Sequence, residues 1–161
     1  LELKGAITGS GGLTKISFDT VILSGQSTFT GGLNITAGIV QIAGGNDRLP
    51  VAGRVVTSVG GVLDLNGFNQ QIGSLASAHA LIGGAAVDGG WIYTSATTTS
   101  TLSVGTSAIQ AYTYGGILHG NIALTKTGGP NNVLTLIGAN SYNGGTTFAG
   151  GVLSVSNESF L

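Results

Sequence analysis

The stretch Leu136-Ile-Gly138-Ala-Asn140-Ser-Tyr142-Asn-Gly144-Gly145-Thr146-Thr-Phe148-Ala-Gly-Gly151-Val152-Leu-Ser-Val155 repeats an earlier one. It aligns without gaps on Leu23 to Ile42, 113 positions before it. Gly25, Gly31, Gly32 and Gly38 fall on Gly138, Gly144, Gly145 and Gly151, while Phe29 falls on Tyr142 and Ile35 on Phe148. Upstream of each copy the same tripeptide recurs, Leu13-Thr14-Lys15 and Leu124-Thr125-Lys126. Glycines and apolar positions repeat together, which predicts a repeated backbone path and a stacked architecture.

Composition narrows the kind of stack. The chain has 161 residues, 30 of them Gly and 2 Pro, with 7% charged residues and a net charge of -1. It is too apolar for a disordered linker and lacks the strict Gly-X-Y order of collagen. Val, Ile, Thr, Leu and Gly dominate while Lys, Arg and Glu are few and Met is absent, so the expected class is all-β. No cluster of Lys or Arg offers a footprint for nucleic acid or an anionic membrane. No run approaches the ~18 apolar residues of a membrane-spanning helix. Without Cys there are no disulfides and no thiolate metal sites. A chain without Met that opens in mid-pattern at Leu1 is expected to be a piece of a longer polypeptide.

Short apolar-alternating runs separated by Gly, Asn, Asp or Ser carry the strand-and-turn signature. Expected strands include Thr20 to Leu23, Leu33 to Ile35, Ile39 to Ile42, Arg54 to Thr57, Val62 to Leu65, Trp91 to Tyr93, Val133 to Leu136 and Val152 to Val155. They are short, and hairpin dipeptides are confined to Asn66-Gly67 and Asn143-Gly144. Several strands per ~20 to 25 residues, with Gly at the corners, predict a right-handed parallel β-helix. About seven rungs at ~4.8 Å each give a length of ~34 Å. On this reading residues 1–161 form one β-helical segment, with related repeats at about 7–42 and 118–155. Asn46 to Pro50 reads as a protruding loop, Thr94 to Thr101 as a solvent-facing loop or weak rung, and Gly83 to Val87 as a drifted rung.

Chemistry is hard to find. The acids Glu2, Asp19, Asp47, Asp64, Asp88 and Glu158 are scattered, and no pair lies within a turn of another. Asp64 and Asp88, about one rung apart in sequence, are the one pair that stacking would bring together as a glycosidase dyad, and corner Asp residues more often cap turns. His79 and His119 have no Cys or nearby carboxylate for zinc. No Ser lies in a Gly-x-Ser-x-Gly elbow, and the Gly-rich segments lack the Lys-Ser/Thr of a phosphate loop. No catalytic, cofactor-binding or metal-binding residue is nominated, and the chain reads as a non-enzyme. Trp91 with Tyr93, and Tyr112 with Tyr114, share strand faces and form the one group suited to stacking on sugar rings or sealing an interface. Phe29 and Tyr142 are expected as stacked aromatics inside the coil, with an Asn ladder at Asn140.

Leu124 to Gly129 and Leu134 to Leu153 closely resemble the autotransporter-associated β-strand repeat of bacterial type V secretion passengers. Leu63-Asp64-Leu65-Asn66-Gly67-Phe68-Asn69-Gln70-Gln71-Ile72-Gly73-Ser74-Leu75 resembles the stretch that often follows that repeat in large surface proteins. With the first copy, these segments cover roughly half of the chain. The resemblance implies a β-helical stalk at the outer surface of a bacterium or released from it. The expected role is a stalk, adhesin shaft or filament subunit, with a carbohydrate-binding or carbohydrate-active β-helix as the rival. The expected partners are the rest of a longer chain or end-to-end copies, because a coil exposes strand edges at its ends. A surface polysaccharide is the partner that the rival implies.

Overall fold

Strands of three to five residues cannot build a sandwich, but stacked in register they bury one side chain in two against a shared axial core. The computed structural model describes residues 1–82 and 85–155, with 79–88 described by backbone alone. Every described element is a β-strand. The first three rungs carry β1 (Glu2–Leu3) and β2 (Leu13–Lys15), β3 (Thr20–Leu23) and β4 (Leu33–Ile35), then β5 (Gly38–Ile42) and β6 (Arg54–Thr57). The fourth has β7 (Gly61–Asp64), β8 (Gln70–Ile72) and β9 (Ser74–Ser77), followed by an inserted pair, β10 (His79–Ile82) and β11 (Ala85–Asp88). The fifth has β12 (Trp91–Tyr93), β13 (Ser100–Val104) and β14 (Gln110–Tyr114), and the sixth β15 (Ile117–Gly120), β16 (Ile122–Lys126) and β17 (Asn132–Leu136). The seventh has β18 (Ser141–Tyr142), β19 (Thr146–Phe148) and β20 (Val152–Val155). The fold is a parallel β-solenoid of seven rungs.

The rungs stack into three faces. Face one is a seven-stranded sheet in the order β1-β3-β5-β7-β12-β15-β18. Face two holds β8, β13, β16 and β19 and continues below them through irregular chain, where Thr28 N–H donates to Ile7 O at 2.8 Å and Thr30 N–H to Gly9 O at 3.0 Å. Face three holds β2-β4-β6-β9 and β14-β17-β20, joined where β9 lies against β14 and Gly115 N–H reaches Ser77 Oγ at 2.9 Å. Inward residues form columns: on face one Val40, Leu63, Ile92 and Leu118 are register partners in successive rungs, each 0% exposed. Each such side chain contributes ~1.5–3 kcal/mol by leaving water, so the column binds each rung to the next.

Several expectations change. Asn66-Gly67 is a tight turn, with φ of 48° and 82° and Phe68 N–H on Leu65 O, but it joins β7 to β8 on a different face and is a corner. The antiparallel pair is instead β10–β11, running from His79 opposite Asp88 to Ile82 opposite Ala85, so Ala85 to Val87 belong to an inserted antiparallel pair and not to a drifted rung, while Gly83 and Gly84 lie outside the described residues. Asn46 to Pro50 does not protrude: Leu49 is 1% exposed and its N–H donates to Gln70 Oε1, while Asp47 Oδ1 accepts Gln71 N–H. Thr94 to Thr99 is a corner on which Thr97, Thr98 and Thr99 face solvent as expected, whereas Ser100 and Thr101 begin β13 and Ser100 Oγ donates to Thr94 Oγ1. Polar strands β9 and β14 escape an apolar-alternation reading because Ser and Tyr take inward places there.

The expected aromatic stack is also absent. Phe29 is buried on face two of the second rung, whereas Tyr142 lies half-buried on face one of the seventh. Asn140 makes no ladder; its Oδ1 accepts Leu118 N–H at 2.9 Å and its Nδ2 donates to Gly138 O. At the equivalent place Ser27 Oγ accepts Ile7 N–H and donates to Gly25 O. A shorter side chain does the same job, so the sequence at that place does not look repeated. Glu158 and Ser159 to Leu161 lie outside the described residues.

Candidate functional site

Face one alternates along β12, so Ile92 enters the core while Trp91 and Tyr93 stand outside. Trp91 pairs with Val62 below and Ile117 above, and Tyr93 with Asp64 below. His119, two residues past Ile117, completes the group: its ring stacks on Tyr93 at 5.3 Å and 2°, and meets Trp91 edge-on at 5.4 Å and 89°. Trp91 stays 52% exposed. In sequence His119 is considered only against zinc; the signal for its place here is its register two places beyond the residue opposite Trp91.

Beside Trp91 runs a trough of about 400 Å³, bordered by Val59, Val62, Ile117 and Ala139, with pairs of glycines as its floor. The glycines are there because rung backbones touch. A Cβ on Gly61 would lie 2.0 Å from Ile35 O, on Gly90 1.9 Å from Gly61 O, on Gly116 2.3 Å from Gly90 O, and on Gly138 1.9 Å from Gly116 O. The floor is fixed from inside, where Gly90 N–H donates to Thr57 Oγ1 at 3.0 Å and Gly90 O accepts the Tyr114 hydroxyl at 3.1 Å. Among the described residues no charged one lines the trough.

The four aromatics singled out in the sequence therefore do not form one site. Tyr114 is a 0%-exposed core residue whose burial holds its phenol pKa well above the usual value. Tyr112 lies on face three, half-buried, with the Arg54 guanidinium 5.6 Å from its ring centre. Tyr93 is raised by desolvation and then by the charge of Asp64.

Asp64 itself is 1% exposed and fully engaged. It accepts Gln41 Nε2 at 2.8 Å, Asn66 N–H at 2.8 Å and Ser95 N–H at 2.9 Å, which ties three consecutive rungs. The position above it is Tyr93, and Asp88 lies in the hairpin opposite His79, so stacking does not set Asp88 above Asp64 as a dyad. Among the described residues no three His, Cys, Asp or Glu side chains group as a metal site. Among the described residues the remaining buried charges are lysines. Lys15 Nζ bonds to Ser17 O, Ser17 Oγ and Ala37 O, and Lys126 Nζ to Thr127 O and Asn132 Oδ1. Both are corner ties.

A solenoid of glycine-cornered rungs defines a repeat protein of the β-helical class. Its repeats can be named. The model of the passenger-associated transport repeat matches residues 13–42 and 124–155, so the chain carries two autotransporter-associated β-strand repeats. A curated relative, the adhesin BmaC autotransporter of Brucella suis biovar 1 (strain 1330), is 33% identical over 156 residues. That alignment covers 97% of this chain and spans 4% of the relative's length. No solved structure matches the chain.

Proposed function

We propose that this segment is a non-enzymatic passenger module of a bacterial surface-displayed or secreted adhesin, one stretch of β-helical shaft in a longer polypeptide. One observation carries this reading: nearly the whole solenoid aligns with the adhesin BmaC autotransporter, of which it is a small fraction. The physics agrees, because rungs joined only to their neighbours add length at constant stability per rung and suit a spacer. The low charge and the glycine corners serve close stacking and leave the outer faces for display.

Intact-mass measurement on the native material with negative-stain electron microscopy tests this. The expected result is a polypeptide far above 15.8 kDa seen as a rod. A mass near 15.8 kDa with filaments would replace the shaft by a self-stacking subunit, and compact monomers of that mass would overturn both.

A further inference from the structure

We propose that the trough beside Trp91 is a binding site for a neutral saccharide, presented on face one independently of whether the segment serves as a shaft. A solenoid needs no large ring on its outer wall, yet the chain's one tryptophan stands there half in water. Its ring stands perpendicular to that of His119, which is itself stacked on Tyr93, so little side-chain entropy is lost when a ligand covers it. His119 Nε2 is itself enclosed, so His119 serves the site by holding the indole and not by touching a ligand.

The shape and charge of the trough choose the ligand class. Its volume is at the small end of the range for small-molecule sites, and its glycine floor lets a flat ring approach the backbone. Among the described residues the lining carries no charge, and so no counter-ion for phosphate, carboxylate or ammonium groups. A sugar ring offers a C–H face for the indole and hydroxyls at its edge, as this mix of one aromatic plate and peptide groups requires. A second copy of the chain is a poorer fit, since stable protein contacts bury about 800 Å² per partner and the apolar part of this wall is one ring and a narrow furrow.

Because Trp91 is the sole tryptophan, its emission reports on this place alone. The experiment titrates the protein with maltotriose, cellotriose, chitotriose and mannotriose to ~10 mM, a range that captures millimolar affinity. A saturable emission change with at least one of them is expected. By calorimetry Trp91→Ala weakens that sugar ~tenfold or more, His119→Ala weakens it less, and Tyr112→Ala on face three leaves it unchanged. Melting curves of the variants show whether the fold is kept. Emission that stays flat across all four sugars overturns the proposal, as does affinity that survives Trp91→Ala in a folded variant. Emission that shifts with protein concentration alone would assign the surface to self-contact and overturn it too.

Discussion

The two repeat copies share their contacts but not their place around the axis. In the first, the Leu-Thr-Lys strand β2 is on face three, β3 on face one, the Phe29 segment on face two and β5 on face one again. In the second, β16 is on face two, β17 on face three, β18 on face one and β20 on face three. The second copy is therefore turned back by one face and lies four rungs and two faces downstream, not five whole rungs. Its corner nevertheless rebuilds the first. Gly38 sits against Asp19 O and Lys15 Nζ, and Gly151 against Asn132 O and Lys126 Nζ. Gly25 rests on Gly5, and Gly138 on Gly116. The repeat thus encodes a strand, a corner and the rung laid on it, and any of the three faces accepts it. What differs is cover: Ile35 is 0% exposed while its counterpart Phe148 is 59% exposed.

Breaking the corner glycines tests this most strongly. Gly38 and Gly151 have φ of +72° and +74°, where a Cβ is strained. At Gly38 the Cβ would also lie 2.2 Å from Ser17 O, whereas at Gly151 the nearest atom is the movable end of Lys126. Gly38→Ala is expected to cost ~4 kcal/mol or more and Gly151→Ala ~2 kcal/mol, read by urea unfolding with hydrogen exchange across the flanking rungs. Equal losses would show that the two corners are not distinguished by their surroundings.

The aromatic pair comes next. Phe29→Ala empties a packed core place and should cost ~3–5 kcal/mol. Tyr142→Ala, at a half-buried place whose hydroxyl meets Thr146 Oγ1, should cost under ~2 kcal/mol. A Tyr142 loss as large as that of Phe29 would mean that the seventh rung is covered as well as the second.

The lysines sharpen the likeness. Lys15→Met and Lys126→Met each orphan carbonyl or amide oxygens and should each cost ~1–3 kcal/mol, within ~1 kcal/mol of one another. A neutral result at either site would remove the shared-corner account.

The smallest effect is in pH. Desolvation lowers the Lys126 pKa below 10.5, so the unfolded chain binds more protons between the lowered value and 10.5, and stability rises with pH across that window. Burial raises the Tyr114 pKa above 10.0, so the folded chain keeps its proton longer and stability falls as pH climbs past 10.0. Urea midpoints should rise gently toward pH ~10 and drop beyond it. Lys126→Met should flatten the rise and Tyr114→Phe the drop; a wild-type profile that keeps falling from neutral pH would sink this account.

Much of the fold was legible because it is local. Thr20 to Leu23, Leu33 to Ile35, Arg54 to Thr57, Trp91 to Tyr93 and Val152 to Val155 are strands over the spans that alternation and glycine punctuation predict. The antiparallel pair β10–β11 was not, since its short apolar strands look like those of any rung and only pairing direction tells them apart. The candidate site was half legible. Trp91 and Tyr93 announce themselves by alternation, but His119 reaches them across rungs, and Tyr114 has the same spacing from Tyr112 as Tyr93 from Trp91 while pointing into the core.

The sequence by itself determined the class, the rung count and the chemistry of each corner, because strand length, alternation and glycine placement act within one rung. Tertiary structure alone decided the phase of the stack: which face each repeat occupies, which residues meet in columns, and that a tryptophan, a tyrosine and a histidine share one outer wall. The reason is that rung length varies along the coil. Register partners are 19 residues apart from Thr20 to Ile39 but 29 apart from Val62 to Trp91, where the hairpin is inserted. Residue counting therefore loses the angle around the axis, and only the packed columns restore it.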